Sequence, residues 1–285
     1  MKKSILVTGG AGFVGSHLCE RLAKDGHDVI SLDNYSTGST DNHVEGVDYR
    51  KGSTVDIAKH VPEAPDIVYH LGEYARVEQS FDNTATVIEY NMHGTAGVLE
   101  FVREKGGKLV YAGSSTKFAD AGIGRDQSPY AWTKATNTDL VQRYGDWFGI
   151  PYAITYFYNV YGPRERSDTA TGTLVAIFAD KHKRGEPLTV RSPGTQKRNF
   201  THVYDIVEGL VLVGDKGEGD EYGLGHPDAY SVLDVAKMFG GEVTMLPERP
   251  GNRMTSKIDT RRAELELGWA PHHSLPSYIE RLLTS

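Results

Sequence analysis

The stretch Ser4-Ile5-Leu6-Val7-Thr8-Gly9-Gly10-Ala11-Gly12-Phe13-Val14-Gly15 decides how the rest of the chain is read. Ser4 to Thr8 is a short apolar run of the kind that forms a buried strand. Glycines recur at 9, 12 and 15, and a helical pattern continues through Leu22. Glycines at that spacing, between a strand and a helix, suit a diphosphate. Without β-carbons the backbone turns tightly and comes close to the phosphates, and the helix start offers free N–H groups and a positive dipole end. Gly9, Gly12, Phe13, Val14 and Gly15 are therefore candidate cofactor contacts; the alternative is a glycine-rich turn that binds nothing. A second strand, Val29 to Leu32, ends at Asp33 with Asn34 beside it. A carboxylate there can accept both ribose hydroxyls of adenosine and would repel a 2′-phosphate, which favours NAD over NADP. Asp33-Asn34 could also be plain turn chemistry, and Arg50 and Lys51 nearby leave NADP as an alternative.

Working outward, Ile67 to Leu71 and Lys108 to Tyr111 read as strands, with helical spacing over Thr84 to Glu104 between them. Tyr130 to Phe148 is a long helix, and Ala153 to Phe157 a strand after Pro151. Strands alternating with helices predict an α/β fold, a Rossmann-type doubly wound parallel sheet covered on both faces. After residue 162 breakers become frequent, with helices expected at 173–184, 203–213 and 231–239. The expected division is 1–161 for NAD binding and 162–285 as a smaller, mainly substrate-binding C-terminal part. One segment of the latter could return to the sheet.

The chain has 285 residues, 39% hydrophobic and 24% charged, with a formal net charge of -7. That acidity argues against binding nucleic acid or an anionic membrane surface non-specifically. Cys19 is the single cysteine, so no internal disulfide forms, and inside the first helix pattern it reads as a small core residue. No secretory signal and no apolar run near the ~20 residues of a membrane span are visible. A cytoplasmic location is expected. No residue cluster suggests a metal.

Tyr130 and Lys134 stand at i and i+4 of one helix and so share a face. A neighbouring cation favours a phenolate, and a phenolate can take the proton of a sugar hydroxyl. Lys134 could also hold the nicotinamide ribose. The alternative is an exposed helix pair. The hydroxyls Ser114-Ser115-Thr116, just past the strand that begins at 108, tilt the balance. They end at the carboxyl edge of the sheet, where open α/β sheets bind ligands, and Ser114 can bond the oxygen that Tyr130 deprotonates.

Together these residues resemble the extended short-chain dehydrogenase/reductase family that modifies nucleotide sugars. Gly9, Gly12 and Gly15 match its glycine motif, and Asp33 its acidic residue. The family's Gly-Asp-Ile adenine contact falls on Gly52-Ser53-Thr54, with Asp56-Ile57 as a substitute. His-Leu-Ala-Ala is similar to His70-Leu71-Gly72-Glu73. The resemblance places the catalytic triad on Ser114, Tyr130 and Lys134, further cofactor contacts on Ser53, Thr54, Leu71 and Gly72, and substrate contacts on Asn159, Arg198 and Arg249. Asn159 opens an intact Asn-Val-Tyr-Gly-Pro stretch, and the two arginines would neutralise the nucleotide diphosphate. Leu267-Gly268-Trp269 fits the family's C-terminal end, while Tyr156 stands where an arginine is usual. A homodimer through the helices near 84–104 and 130–148 is implied.

The family's chemistry begins with oxidation at C4 of the sugar. A 4,6-dehydratase then removes the C5 proton and expels the C6 hydroxyl, whereas a 4-epimerase turns the keto sugar over. Ser114-Ser115-Thr116 lacks the Asp-Glu pair of common dehydratases. Ser115 and Lys117 instead resemble two variant dehydratase patterns, and Glu73 and Glu78 are reserve bases, or else solvated charges. The stretches Gly72 to Ser80, Ala112 to Phe118 and Ser192 to Arg198 are similar to the sugar-nucleotide dehydratases of legionaminic-acid pathways, which act on GDP-N-acetylglucosamine. The first expectation is therefore a 4,6-dehydratase of an N-acetylhexosamine nucleotide. The alternatives are a 4-epimerase, a decarboxylase or reductase of the same family, and a non-catalytic NAD-binding sensor.

Overall fold

A computed structural model describes residues 1–116, 124–168, 172–247 and 258–284. β1 (Ser4–Thr8) runs through the glycine turn into α1 (Phe13–Lys24), followed by β2 (Asp28–Asp33), β3 (Val47–Lys51) and β4 (Ile67–His70). α2 (Thr84–Val87) passes through a π-turn at Ile88–His93 into α3 (Gly94–Lys105). β5 (Lys108–Ser114), α4 (Pro129–Phe148) and β6 (Tyr152–Phe157) follow. Then come β7 (Val160–Tyr161), α5 (Leu174–Lys183), β8 (Leu188–Arg191), β9 (Lys197–Asn199), β10 (Thr201–His202) and α6 (Val203–Lys216). β11 (Gly219–Leu224), β12 (Ala229–Ser231), α7 (Val232–Phe239), β13 (Val243–Leu246), α8 (Arg261–Leu267) and α9 (Leu275–Thr284) close the described chain.

Seven strands form one sheet in the order β11-β6-β5-β4-β1-β2-β3, every neighbouring pair parallel. The apolar run of β1 explains why both faces are covered. Ile5 and Val7 pack with Leu18 and Leu22 of α1 and Ile206 and Leu210 of α6. Leu6, pointing the other way, packs with Val98, Leu99 and Val102 of α3 and Val141 of α4. A strand buried on both faces cannot alternate polar and apolar residues. Leu6 is 0% exposed, and its truncation to alanine is expected to cost about 2–5 kcal/mol. Cys19 lies in the α1 layer as a buried apolar residue.

Three features depart from the sequence reading. β5 continues past Tyr111 to Ser114 because Ala112, Gly113 and Ser114 pair with Thr155, Tyr156 and Phe157. Small residues carry no apolar signal, but they fit there: a β-carbon on Gly113 would stand 2.7 Å from the Tyr156 ring. β3 and β11 were not foreseen. Each is an edge strand with one neighbour, so one long side needs no apolar pattern. β11 also carries the chain back to the sheet, the option left open above. α6, β11 and α8 join the sheet's first layer. A third core, with Tyr161, Phe178, Val190, Phe200, Phe239 and Ile279, builds a second lobe. Among the described residues no helix is long and apolar enough to cross a membrane.

Candidate functional site

A cleft of about 840 Å3 opens at the carboxyl ends of β1, β2, β4 and β5. Its floor is the glycine turn. Gly9 has φ +74°, a conformation that β-carbons disfavour, and Gly12 N–H donates to Gly9 O at 3.1 Å. A β-carbon on Gly15 would lie 2.1 Å from Gly9 O, so the turn exists only because that atom is missing. Phe13, Val14, Asn34, Thr54, Leu71 and Gly72 also line the cleft. Asp33 is buried, its Oδ2 accepting from Ala11 N–H (3.0 Å) and its Oδ1 from Tyr35 N–H (2.8 Å). Burial lifts its carboxyl above the usual range although both N–H groups oppose this. Each oxygen keeps a lone pair for a ribose hydroxyl. Arg50 is engaged by Asp48 and Glu63, which removes the main candidate for a 2′-phosphate. The bare glycine backbone and the buried carboxylate fit NAD.

Two expected contacts lie elsewhere. Ser53 does not line the cleft; its Oγ accepts from Val55 N–H (3.2 Å) and caps the following turn. Asp56 is held by Lys59 (3.2 Å) and His60 (3.4 Å), and it too is absent from the lining. A local cap occupies the first side chain and local ion pairs the second.

α4 delivers the second half of the site. Ser128 caps it by accepting from Ala131 N–H (3.1 Å), and Pro129 sets the first turn. Tyr130 therefore stands in that turn, with Lys134 one turn on, and both line the cleft. Tyr130 Oη donates to Ser114 Oγ at 3.3 Å. Thr116 Oγ1 donates to the same oxygen at 2.9 Å and Thr116 N–H at 3.3 Å. Three donors thus face an oxygen with two lone pairs, so at most two bond to it at once; Ser114 and Thr116 are buried beside the cleft and are not part of its lining. Ser115 is half-buried and does not line the cleft.

Lys134 Nζ donates to the Glu73 carboxylate and to the Ala112 carbonyl, and sits 4.5 Å over the Tyr111 ring. Glu73 is therefore neither a solvated charge nor an accessible base: its side chain is 3% exposed and both oxygens are taken. Burial pushes its carboxyl up, but Lys134 and the surrounding donors outweigh this and hold it below the usual range. Burial drives the nearby His70 down to about 4. Glu78 is exposed outside the cleft.

On the opposite wall Asn159, at φ +40°, donates to Asn199 O at 2.8 Å. Its neighbour Arg198 is half-buried, donates to Lys197 O (2.8 Å) and does not line the cleft. Lys117 and Arg249 lie outside the described residues. The cleft also recruits Arg76, Glu165 and Arg166, none of which the motifs singled out. Arg76 Nε is buried without a hydrogen-bond partner among the described residues, and burial lowers the guanidinium's affinity for its proton while Tyr130 opposes this. Glu165 accepts from Gly162 N–H (2.8 Å) and from Thr173 Oγ1; burial lifts it to about 7. The only sequence signal was position: Arg76 follows the His70 stretch, and Glu165 follows Pro163.

The family model described as the NAD dependent epimerase/dehydratase family matches residues 5–225. UDP-glucuronic acid decarboxylase 1 of Xenopus tropicalis is 30% identical over 292 residues, covering 95% of this chain and 69% of that protein. The UDP-glucose 4-epimerase of Thermotoga maritima, solved with UDP-glucose, superposes with a TM-score of 0.92 at 27% identity, covering 98% of this chain and 97% of the other. The UDP-glucose 4-epimerase of Thermus thermophilus, solved with NAD, gives 0.88 at 28% identity over 98% and 97%. With a matching model over most of its length and a dinucleotide cleft of this form, the chain belongs to the NAD dependent epimerase/dehydratase family.

Proposed function

We propose that the protein oxidises a nucleotide sugar at C4 and converts it as a 4,6-dehydratase of an N-acetylhexosamine nucleotide of the GDP-N-acetylglucosamine type. The observation that carries the oxidation step is the Tyr130–Ser114 contact of 3.3 Å at the edge of the cofactor cleft. NAD, when bound, accepts the C4 hydride and later returns it. Tyr130 takes the proton of the C4 hydroxyl while the Ser114 hydroxyl donates to that oxygen. Lys134 anchors the ribose end of the cofactor, and Asn159 with the second lobe orients the nucleotide sugar. Arg198 and Arg249 are the candidates for its diphosphate.

Dehydration needs two further proton-exchanging groups. Glu165 lines the same cleft, and burial lifts its carboxyl to about 7, a value suited to gaining and losing a proton near neutrality. Lys117, outside the described residues, is the other candidate on the resemblance noted above. A 4-epimerase is the second reading, favoured by the absence of any carboxylate in Ser114-Ser115-Thr116. It needs no extra acid or base, only room for the ring to turn.

The test is NMR of purified protein in deuterated water with GDP- and UDP-linked N-acetylhexosamines, UDP-glucose and UDP-glucuronic acid. A 4-keto-6-deoxy product carrying deuterium at C5 supports the dehydratase. A C4 epimer without deuterium replaces it with the second reading. Loss of carbon dioxide from UDP-glucuronic acid would make it a decarboxylase, and no turnover of any of these would sink the C4 reading.

A further inference from the structure

Four donors converge on the Glu73 carboxylate. Oε1 accepts from Thr95 Oγ1 (3.0 Å), Tyr111 Oη (3.2 Å) and Asn137 Nδ2 (2.8 Å), and Oε2 accepts from Lys134 Nζ. The Lys134 ion pair and the three donors on Oε1 favour the ionised carboxylate. Counting hydrogens orders the chain behind it. Thr95 spends its hydroxyl hydrogen on Glu73, so His70 Nε2 must donate to Thr95 Oγ1 (3.0 Å). His70 Nδ1 is then the acceptor of Thr8 Oγ1 (2.8 Å), which in turn accepts from Gly72 N–H (3.1 Å). This buried line joins the catalytic end of the cleft to the strand that ends at the glycine turn. Such a buried polar network holds its members in one geometry, with Asn137 Oδ1 left without a partner among the described residues.

The charge balance has a consequence for Tyr130. An unpaired ammonium beside a phenol draws the proton off it. Here that ammonium is paired inside the protein, on a carboxylate the family pattern does not carry at this position. We propose that Glu73 is a positioning residue that fixes Lys134 Nζ and cancels its charge, so that Tyr130 gives up its proton at a higher pH than an unpaired lysine would allow. This rests on the reading of Tyr130 as the group that takes the substrate proton. The other groups facing Tyr130 are Ser114 and Tyr111 from β5, and Arg76 from the segment after β4. Tyr74, Glu165 and Arg166 line the same cleft. Asp168 acts on Arg76 alongside Arg166. Of these, Tyr111 loses a partner when Glu73 is replaced, because its hydroxyl donates to that carboxylate.

Two variants remove the charge with different volumes: Glu73→Gln keeps the shape, and Glu73→Ala restores the residue usual in the family. NAD binding and thermal melting report that each is folded. The readout is the pH profile of kcat/KM on the sugar nucleotide that the wild type turns over. The acid limb is expected to move to lower pH by about one unit, as for a unit charge roughly 10 Å away at an effective dielectric constant of about 20. A merely structural role would lower the whole profile without moving the limb, and an unmoved or alkaline-shifted limb overturns the proposal. A second readout does not depend on turnover: ultraviolet titration of tyrosinate in the NAD-loaded protein, taken as the difference between backgrounds with Tyr130 and with Tyr130→Phe. That difference should titrate at lower pH in both Glu73 variants. If no sugar nucleotide is converted, the functional reading fails while this titration still decides the role of Glu73.

Discussion

Tyr130 Oη donates to Ser114 Oγ across 3.3 Å, joining the first turn of α4 to the last residue of β5. The contact joins the phenol and hydroxyl proposed to share one substrate oxygen. Tyr130→Phe removes the proton-transfer group and keeps the ring. Turnover is expected to fall by roughly 100- to 10,000-fold, with NAD binding by calorimetry close to that of the wild type. Ser114→Ala should cost about 100-fold, as loss of one preorganised donor does. Full activity in Tyr130→Phe would remove the basis of the mechanism.

The glycine turn separates folding from binding at two neighbouring positions. A β-carbon at Gly15 would meet Gly9 O at 2.1 Å and Gly9 C at 2.8 Å, both backbone atoms that cannot step aside. Gly15→Ala should therefore cost more than about 3 kcal/mol, seen as a lower urea midpoint. At Gly12 the nearest atom is Gly9 O at 3.2 Å. Gly12→Ala asks that oxygen to give by only a few tenths of an ångström, so it is expected to lower the urea midpoint less than Gly15→Ala does and to weaken NAD binding through a methyl group added at the cleft that Gly12 lines.

What the sequence revealed follows from which signals were local. β1, the glycine turn and α1 were legible because strand, turn and helix each obey their own short-range rule. Tyr130 and Lys134 were legible as a helix pair, and Ser114 by its place at the sheet edge. Glu73 was visible only as a departure from a family pattern. Its four partners come from α3, β5 and α4, so no window of sequence contains them. Arg76 and Glu165 were hidden for the same reason, since burial and a shared cleft are properties of the fold. β3 escaped because an edge strand needs little apolar patterning, and β11 because Gly219, Asp220, Glu221 and Gly223 mask the buried Tyr222 and Leu224.

Exposed aromatic and aliphatic side chains gather on α4 and on the π-turn before α3. Ile88, Trp132, Trp147 and Phe148 are between 37% and 61% exposed. Large apolar side chains left in water at this density mark a binding face. These are the helices through which a homodimer is expected. Light scattering or sedimentation should give twice the chain mass, and Trp147→Asp or Ile88→Asp should shift the protein toward the monomer. A wild type that sediments as a monomer would leave this face without its proposed partner.

Three buried groups set opposing slopes of stability with pH. Burial lowers His70 and His202 to about 4, from an ordinary value near 6.5. Below about pH 6.5 the unfolded chain binds protons that the folded histidines refuse, so stability falls as the solution is acidified toward pH 4. Each histidine contributes a loss of about 2 kcal/mol by pH 5, at 1.36 kcal/mol per unit. Glu165 works the other way. Burial lifts it from 4.5 to about 7, so below pH 7 the folded state holds a proton that the unfolded state releases, and stability rises as pH falls toward 4.5. That gain is also about 2 kcal/mol by pH 5. One histidine is offset, and these three groups leave a net loss of about 2 kcal/mol between pH 7 and 5, to which His17, also lowered by burial, adds in the same direction; it is read as a lower urea midpoint at constant m-value. Glu165→Gln removes the compensating group and should steepen the loss to about 4 kcal/mol over the same interval. A Glu165→Gln profile no steeper than the wild type would show that this carboxyl is not held protonated in the folded protein. Its part in proton exchange near neutrality would then have to be given up.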